Sequence, residues 1–77
     1  MDQRLRRIFE VNFNVSPELW SDGLSPQQLP AWDSLGHLSL IQAIEAEFQL
    51  TLSDGELTEM EDVAKIKWVL LRAGVTA

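Results

Sequence analysis

The sequence predicts an all-α fold: three main helices, a short third helix between the second and the last, and one long first loop. Apolar residues recur three and four apart in Leu5, Ile8, Phe9 and Phe13, again in Leu40, Ile41, Ile44 and Phe48, and again in Val63, Ile66 and Leu70, the spacing of one helix face. Capping pairs, a Ser or Thr followed three residues later by Glu or Gln, punctuate the chain at Ser25, Ser53 and Thr58. No two alternating apolar segments flank a hairpin turn. At 77 residues the chain has the length of one domain, 1–77. A fold of this size buries roughly 60–65% of the surface its unfolded chain exposes, too little core for a layered active site.

The first helix carries Leu5, Ile8, Phe9 and Phe13 and fades at Asn12 and Asn14. A connection from about Val15 to Asp33 follows, with all three prolines. Its two Ser-Pro steps, Ser16-Pro17 and Ser25-Pro26, predict short helical turns with proline at the first helical position. A loop this long in so small a domain points to function. The second helix is expected to start at Asp33 or Ser34 and run to about Gln49. After the connector Leu50-Thr51-Leu52, Ser53 with Glu56 predicts a short helix near 54–58. Thr58 with Glu61 predicts the last helix from about 59 to 73, terminated by Gly74. Trp20, Trp32 and Trp68 are expected to anchor the core and the loop, each burying a large area.

Composition excludes several functions. Without cysteine there is no disulfide, thiolate metal site or cysteine nucleophile. A single histidine cannot build a multi-histidine zinc site, so no metal centre is expected. No run of 18 apolar residues spans a membrane. The charged start, Met1 to Arg7, followed by a segment broken with polar residues, does not read as a signal peptide; the expected location is the cytoplasm. The net charge is −6, and between Arg7 and Lys65 there is no Lys or Arg at all. Such a body repels nucleic-acid phosphates and anionic membranes and attracts basic protein surfaces.

Within the second helix, His37, Leu40, Ile41, Ile44 and Phe48 share one arc, the expected core face. Leu35, Leu38, Gln42 and Glu45 fall on the other side. Either the first loop covers Leu35 and Leu38, or they form an exposed apolar spot beside Ser34, rimmed by Glu45 and Glu47, that docks partners. His37 is either a half-buried histidine with a satisfied hydrogen bond or part of the entrance to a cargo cavity. Ser34 is first of all a helix-start residue. A triad of Ser34, His37 and Asp33 would need its members to converge from different elements, which neighbours on one helical turn do not do. As the target of another enzyme, Ser34 would hold a phosphodiester at a helix N-terminus, where free N–H groups and the helix dipole favour negative charge.

The run Leu29-Pro30-Ala31-Trp32-Asp33-Ser34-Leu35-Gly36-His37-Leu38 closely resembles the attachment motif of the acyl carrier protein family, with Asp33-Ser34-Leu35 at its centre. The likeness extends over nearly the whole chain, through the Ala43-Ile44-Glu45-Ala46-Glu47-Phe48 end of the second helix and the closing apolar helix. It implies a right-handed four-helix bundle that acts as a monomer and is not an enzyme. It further implies that Ser34, flanked by Asp33 and Leu35, carries a 4'-phosphopantetheine arm added from coenzyme A by a phosphopantetheinyl transferase. The arm's thiol would hold acyl intermediates as thioesters. The implied partners are that transferase and acyl-loading and acyl-accepting enzymes with basic docking surfaces, which would meet Leu35, Leu38, Gln42, Glu45 and Glu47.

Carriers of central fatty acid synthesis usually place carboxylates just after the motif's leucine; here those places hold Gly36 and Ser39. The style of the motif resembles instead the stand-alone carriers of specialised pathways, polyketide or related. An aminoacyl or peptidyl carrier is the alternative within the family, and an unmodified acidic adaptor is the alternative outside it.

Overall fold

The computed structural model describes residues 1–76; Ala77, the last residue of the expected domain, lies outside them. The order is α1 (Asp2–Phe13), a 3₁₀ turn (Pro17–Leu19), α2 (Ser34–Phe48), α3 (Asp54–Glu59) and α4 (Val63–Arg72). The described residues hold no strand, and no helix among them is long and apolar enough to cross a membrane.

Helix α1 buries Leu5, Ile8 and Phe9, the stripe its spacing predicts. It stops where Asn14 turns left-handed, φ 54° and ψ 42°, a conformation asparagine tolerates better than most residues. Helix α2 packs against α1 and buries Leu40, Ile41 and Ile44, with His37 and Phe48 half-buried at the two ends of the same arc. Arg4 joins the two helices at the far end: its Nε donates to Glu47 Oε2 at 2.8 Å, its Nη2 to the Glu47 carbonyl at 2.7 Å, and its guanidinium lies 4.3 Å over the Phe48 ring.

The first loop is part of the core. Val15, Leu24, Leu29 and Trp32 are all buried in it. Phe9 sits at the centre of an aromatic group, edge-on to Phe13, Trp20 and Trp32 at centroid distances of 5.6, 5.1 and 5.2 Å. Such edge contacts add to the burial itself. Ser16 precedes the 3₁₀ turn, with Pro17 at its first position, but its side chain makes no capping bond. Ser25 forms half of its expected box: its N–H donates to Gln28 Oε1 at 2.8 Å, over a turn and no regular helix.

Helix α3 carries the full reciprocal capping box of Ser53 and Glu56. Accepting the Ser53 N–H, and next the hydroxyl side of the box, holds the Glu56 carboxyl below its ordinary pKa. The last helix differs from expectation. It starts at Val63 and not near 59, because Thr58 Oγ1 donates back to the Asp54 carbonyl at 3.0 Å while Asp62 caps α4, accepting from the Lys65 N–H at 2.8 Å. The first loop completes that end: the Val63 and Ala64 N–H groups donate to the Leu24 and Asp22 carbonyls at 3.1 and 2.9 Å. The N–H groups of Val63, Ala64 and Lys65, otherwise orphaned at a helix start, thus all have partners. Gly74, at φ 101°, ends α4 as expected, with Val75 N–H returning to the Leu70 carbonyl at 3.0 Å. Trp68 is not an anchor: it is 57% exposed, with the Arg72 guanidinium 4.4 Å over its ring. A polar cluster joins the distant ends of the chain, Lys67 Nζ bonding Asp2 and Asp22, each at 2.6 Å.

Candidate functional site

Ser34 is the first residue of α2 and is exposed. Asp33 stands before it in extended conformation and caps the helix, its Oδ1 accepting from the Gly36 N–H at 2.8 Å and its carbonyl from the His37 N–H at 2.7 Å. The N–H groups of Ser34 and Leu35 have no partner among the described residues. The two equivalent groups of α4 are closed by loop carbonyls. The start of α2 therefore presents two free donors and the positive end of a helix dipole beside an exposed hydroxyl.

The turn is held in place by close packing. A Cβ on Gly36 would overlap the Ala31 carbonyl oxygen and come within 3.1 Å of the Phe13 ring. Only a glycine lets α2 approach the loop and α1 so closely. In the sequence Gly36 stands out only where a carboxylate is usual; the packing requirement comes from Ala31 and Phe13.

His37 does not serve Ser34. The Trp32 indole N–H donates to His37 Nδ1 at 2.9 Å, so Nδ1 is the acceptor and Nε2 carries the proton. Nε2 then donates to the Leu57 carbonyl, 3.0 Å away. Both ring nitrogens are engaged and Asp33 is spent on the cap, so these two do not act on Ser34 as base and orienter. The imidazole also stacks on Trp32, with centroids 6.2 Å apart and planes 16° from parallel. Trp32, only 3% exposed, thus links α1's Phe9 to α2 and, through His37, to α3. Nothing periodic in the sequence pairs Trp32 with His37 or Leu57, so the bridge is a product of the tertiary fold.

An open groove of about 950 Å³ runs from Ser34 between the first loop and α3. Gln27, Trp32, Leu38, Leu57, Thr58 and Lys65 are among its walls. Lys65 bonds Glu61 at 3.0 Å; that bond, and then the carboxylate's charge, raise the lysine's pKa and keep it cationic. Leu35, beside the groove, and Leu38, in its wall, are 76% and 54% exposed, so the first loop does not cover them. Gln42 is exposed too. The two carboxylates expected on the rim have internal duties: Glu45 Oε2 accepts from the Leu52 N–H at 2.8 Å, fixing the connector to α3, and Glu47 is held by Arg4. Glu59 and Glu61 are paired with Arg72 and Lys65, whereas Glu18 and Asp54 make no ion pair among the described residues.

No family model matches the chain, and a search of curated proteins found no match.

Proposed function

We propose that this chain is a discrete acyl carrier protein, and that Ser34 is where a 4'-phosphopantetheine arm is attached. The observation that carries the reading is the exposed Ser34 hydroxyl beside the two free N–H groups of Ser34 and Leu35. A phosphodiester there would meet donors and a favourable dipole without disturbing any bond already made. Bound to Ser34, the arm supplies a thiol to hold acyl groups as thioesters, a function the cysteine-free chain lacks. Asp33 keeps the helix start rigid, and Gly36 seats it against the loop. Leu35 and Leu38 offer apolar area to a partner, and the net charge of −6 draws basic enzyme surfaces toward it.

The four helices fit the right-handed bundle such carriers form, and the chain acts without catalysis of its own. Its partners are a phosphopantetheinyl transferase and acyl-loading and acyl-accepting enzymes of a specialised pathway, polyketide or related, in the cytoplasm. His37 and Asp33 are both committed elsewhere, which speaks against a Ser34–His37–Asp33 triad. Incubation with coenzyme A and a promiscuous transferase should add the mass of one phosphopantetheine. Ser34→Ala should abolish the addition and melt like the parent. An unchanged mass with several active transferases would sink the carrier reading and favour an unmodified acidic adaptor.

A further inference from the structure

We infer that His37 is a gate that keeps acyl cargo out of the helical core and directs it into the open groove between the first loop and α3. The inference rests on Ser34 as the attachment point. Ser34, His37, Ile41 and Ile44 lie three, seven and ten residues along one face of α2, so the direct path from the Ser34 hydroxyl to buried Ile41 and Ile44 crosses His37.

The imidazole closes that path. It spans from the Trp32 indole nitrogen at 2.9 Å to the Leu57 carbonyl at 3.0 Å, joining the loop, α2 and α3 across the opening, and it stacks on the Trp32 ring. To pass between α2 and α3, a chain must break both hydrogen bonds and leave the buried indole N–H unsatisfied. Behind the gate lie Leu40, Ile44, Val63 and Ile66, all fully buried in one apolar cluster that a saturated chain would otherwise favour. The groove outside the gate begins at Ser34 itself and is already open. Its walls mix apolar Trp32, Leu38 and Leu57 with polar Gln27, Thr58 and Lys65. A long saturated chain would leave most of its surface wet there. The cargo that fits is a short acyl group bearing hydroxyl or keto substituents.

The test uses labelled full-length protein loaded at Ser34 with two amide-linked analogues that cannot hydrolyse, octanoyl and 3-hydroxybutyryl pantetheine. Intact mass establishes loading before NMR spectra are recorded. If no mass is gained, the carrier reading falls and the gate with it. In loaded parent protein, both cargoes should show proton contacts to Leu38, Thr58 and Gln27 and none to Ile41, Ile44, Val63 or Ile66. The Trp32 indole N–H should exchange with solvent more slowly than those of Trp20 and Trp68. In His37→Ala, octanoyl should gain contacts to Ile41 and Ile44 while 3-hydroxybutyryl stays in the groove. Trp32→Phe, which keeps a buried aromatic ring and removes the donor with part of the indole, should release octanoyl inward in the same way should His37→Ala not fold. Contacts from octanoyl to the core of the parent would overturn the gate with the carrier reading intact. So would cargo touching neither site, or octanoyl remaining outside in both folded variants.

Discussion

Gly36 does more at the site than its missing side chain suggests. Replacing a helical glycine by alanine ordinarily gains about 1 kcal/mol of helix propensity. Here the new methyl would strike the Ala31 backbone carbonyl, which cannot swing aside as a flexible side chain would. Overpacking of this kind costs about 1–3 kcal/mol, so the contact outweighs the propensity. Gly36→Ala is expected to unfold at lower urea concentration than the parent and to be modified more slowly at Ser34; a raised midpoint would show that the loop yields easily. Leu35 and Leu38 predict the opposite pairing of effects. As exposed side chains they should each change stability by no more than about 0.5 kcal/mol as alanine, yet slow modification markedly if partners dock on them. Ile44→Ala, in the core, should cost about 2–5 kcal/mol and leave modification of the folded fraction largely intact. Calorimetry paired with a time course of mass gain separates the two classes.

Among the elements, α3 spans only Asp54–Glu59 and cannot hold a helix by propensity. It persists through its capping box, the His37 bond to Leu57 and the Glu59–Arg72 pair. The boundary of α4 is decided by Asp62, whose loss as alanine should cost about 0.5–2 kcal/mol. Thr58→Ala removes only an exposed bond to the Asp54 carbonyl and should stay within about 0.5 kcal/mol. Urea midpoints of the two variants compare the rival caps directly. If Thr58→Ala proved the more damaging, the helix would begin earlier in solution.

For the molecule as a whole, folding brings Asp2, Asp22 and Lys67 together from three parts of the chain. The bond from Lys67 lowers the Asp2 pKa; burial opposes it, and the Trp20 indole N–H adds to the lowering. A carboxyl whose pKa falls on folding contributes stability above its unfolded value, about 3.9, and loses it as pH drops through the folded value. Burial disfavours the Lys67 charge, but the bonds to Asp2 and Asp22 outweigh it and raise its pKa, so its contribution fades only in alkali. Melting temperatures taken from pH 6 down to pH 2.5 should fall less steeply for Asp2→Asn than for the parent. Parallel curves would mean the cluster contributes nothing. Partner binding responds to the same charge at longer range. With a net charge of −6 and a Debye length of about 8 Å at physiological ionic strength, affinity for a transferase should fall steadily as sodium chloride rises. A flat response would make the contact an apolar one, centred on Leu35 and Leu38.

Periodicity and caps are local properties, and they were enough to read α1, the starts of α2 and α3 and the stop at Gly74 from the chain alone. The place of Ser34 at the head of α2 was legible for the same reason. Local signals did not suffice where a tertiary contact decided the boundary. Thr58 with Glu61 predicts a start for α4 near 59, but the helix begins at Val63 behind Asp62, where it receives the Leu24 and Asp22 carbonyls from the far side of the fold. Helical spacing likewise placed Leu35 and Leu38 off the core stripe, but whether the loop covered them depended on where that loop went. It sets Trp20 and Trp32 on Phe9, turns the Asp22 and Leu24 carbonyls to α4, and leaves the two leucines bare. His37 had two readings until Trp32 and Leu57, five and twenty residues away, supplied the partners for its ring nitrogens. Contacts of that kind join segments whose spacing along the chain carries no period, so they come into being only when the whole chain closes on its core.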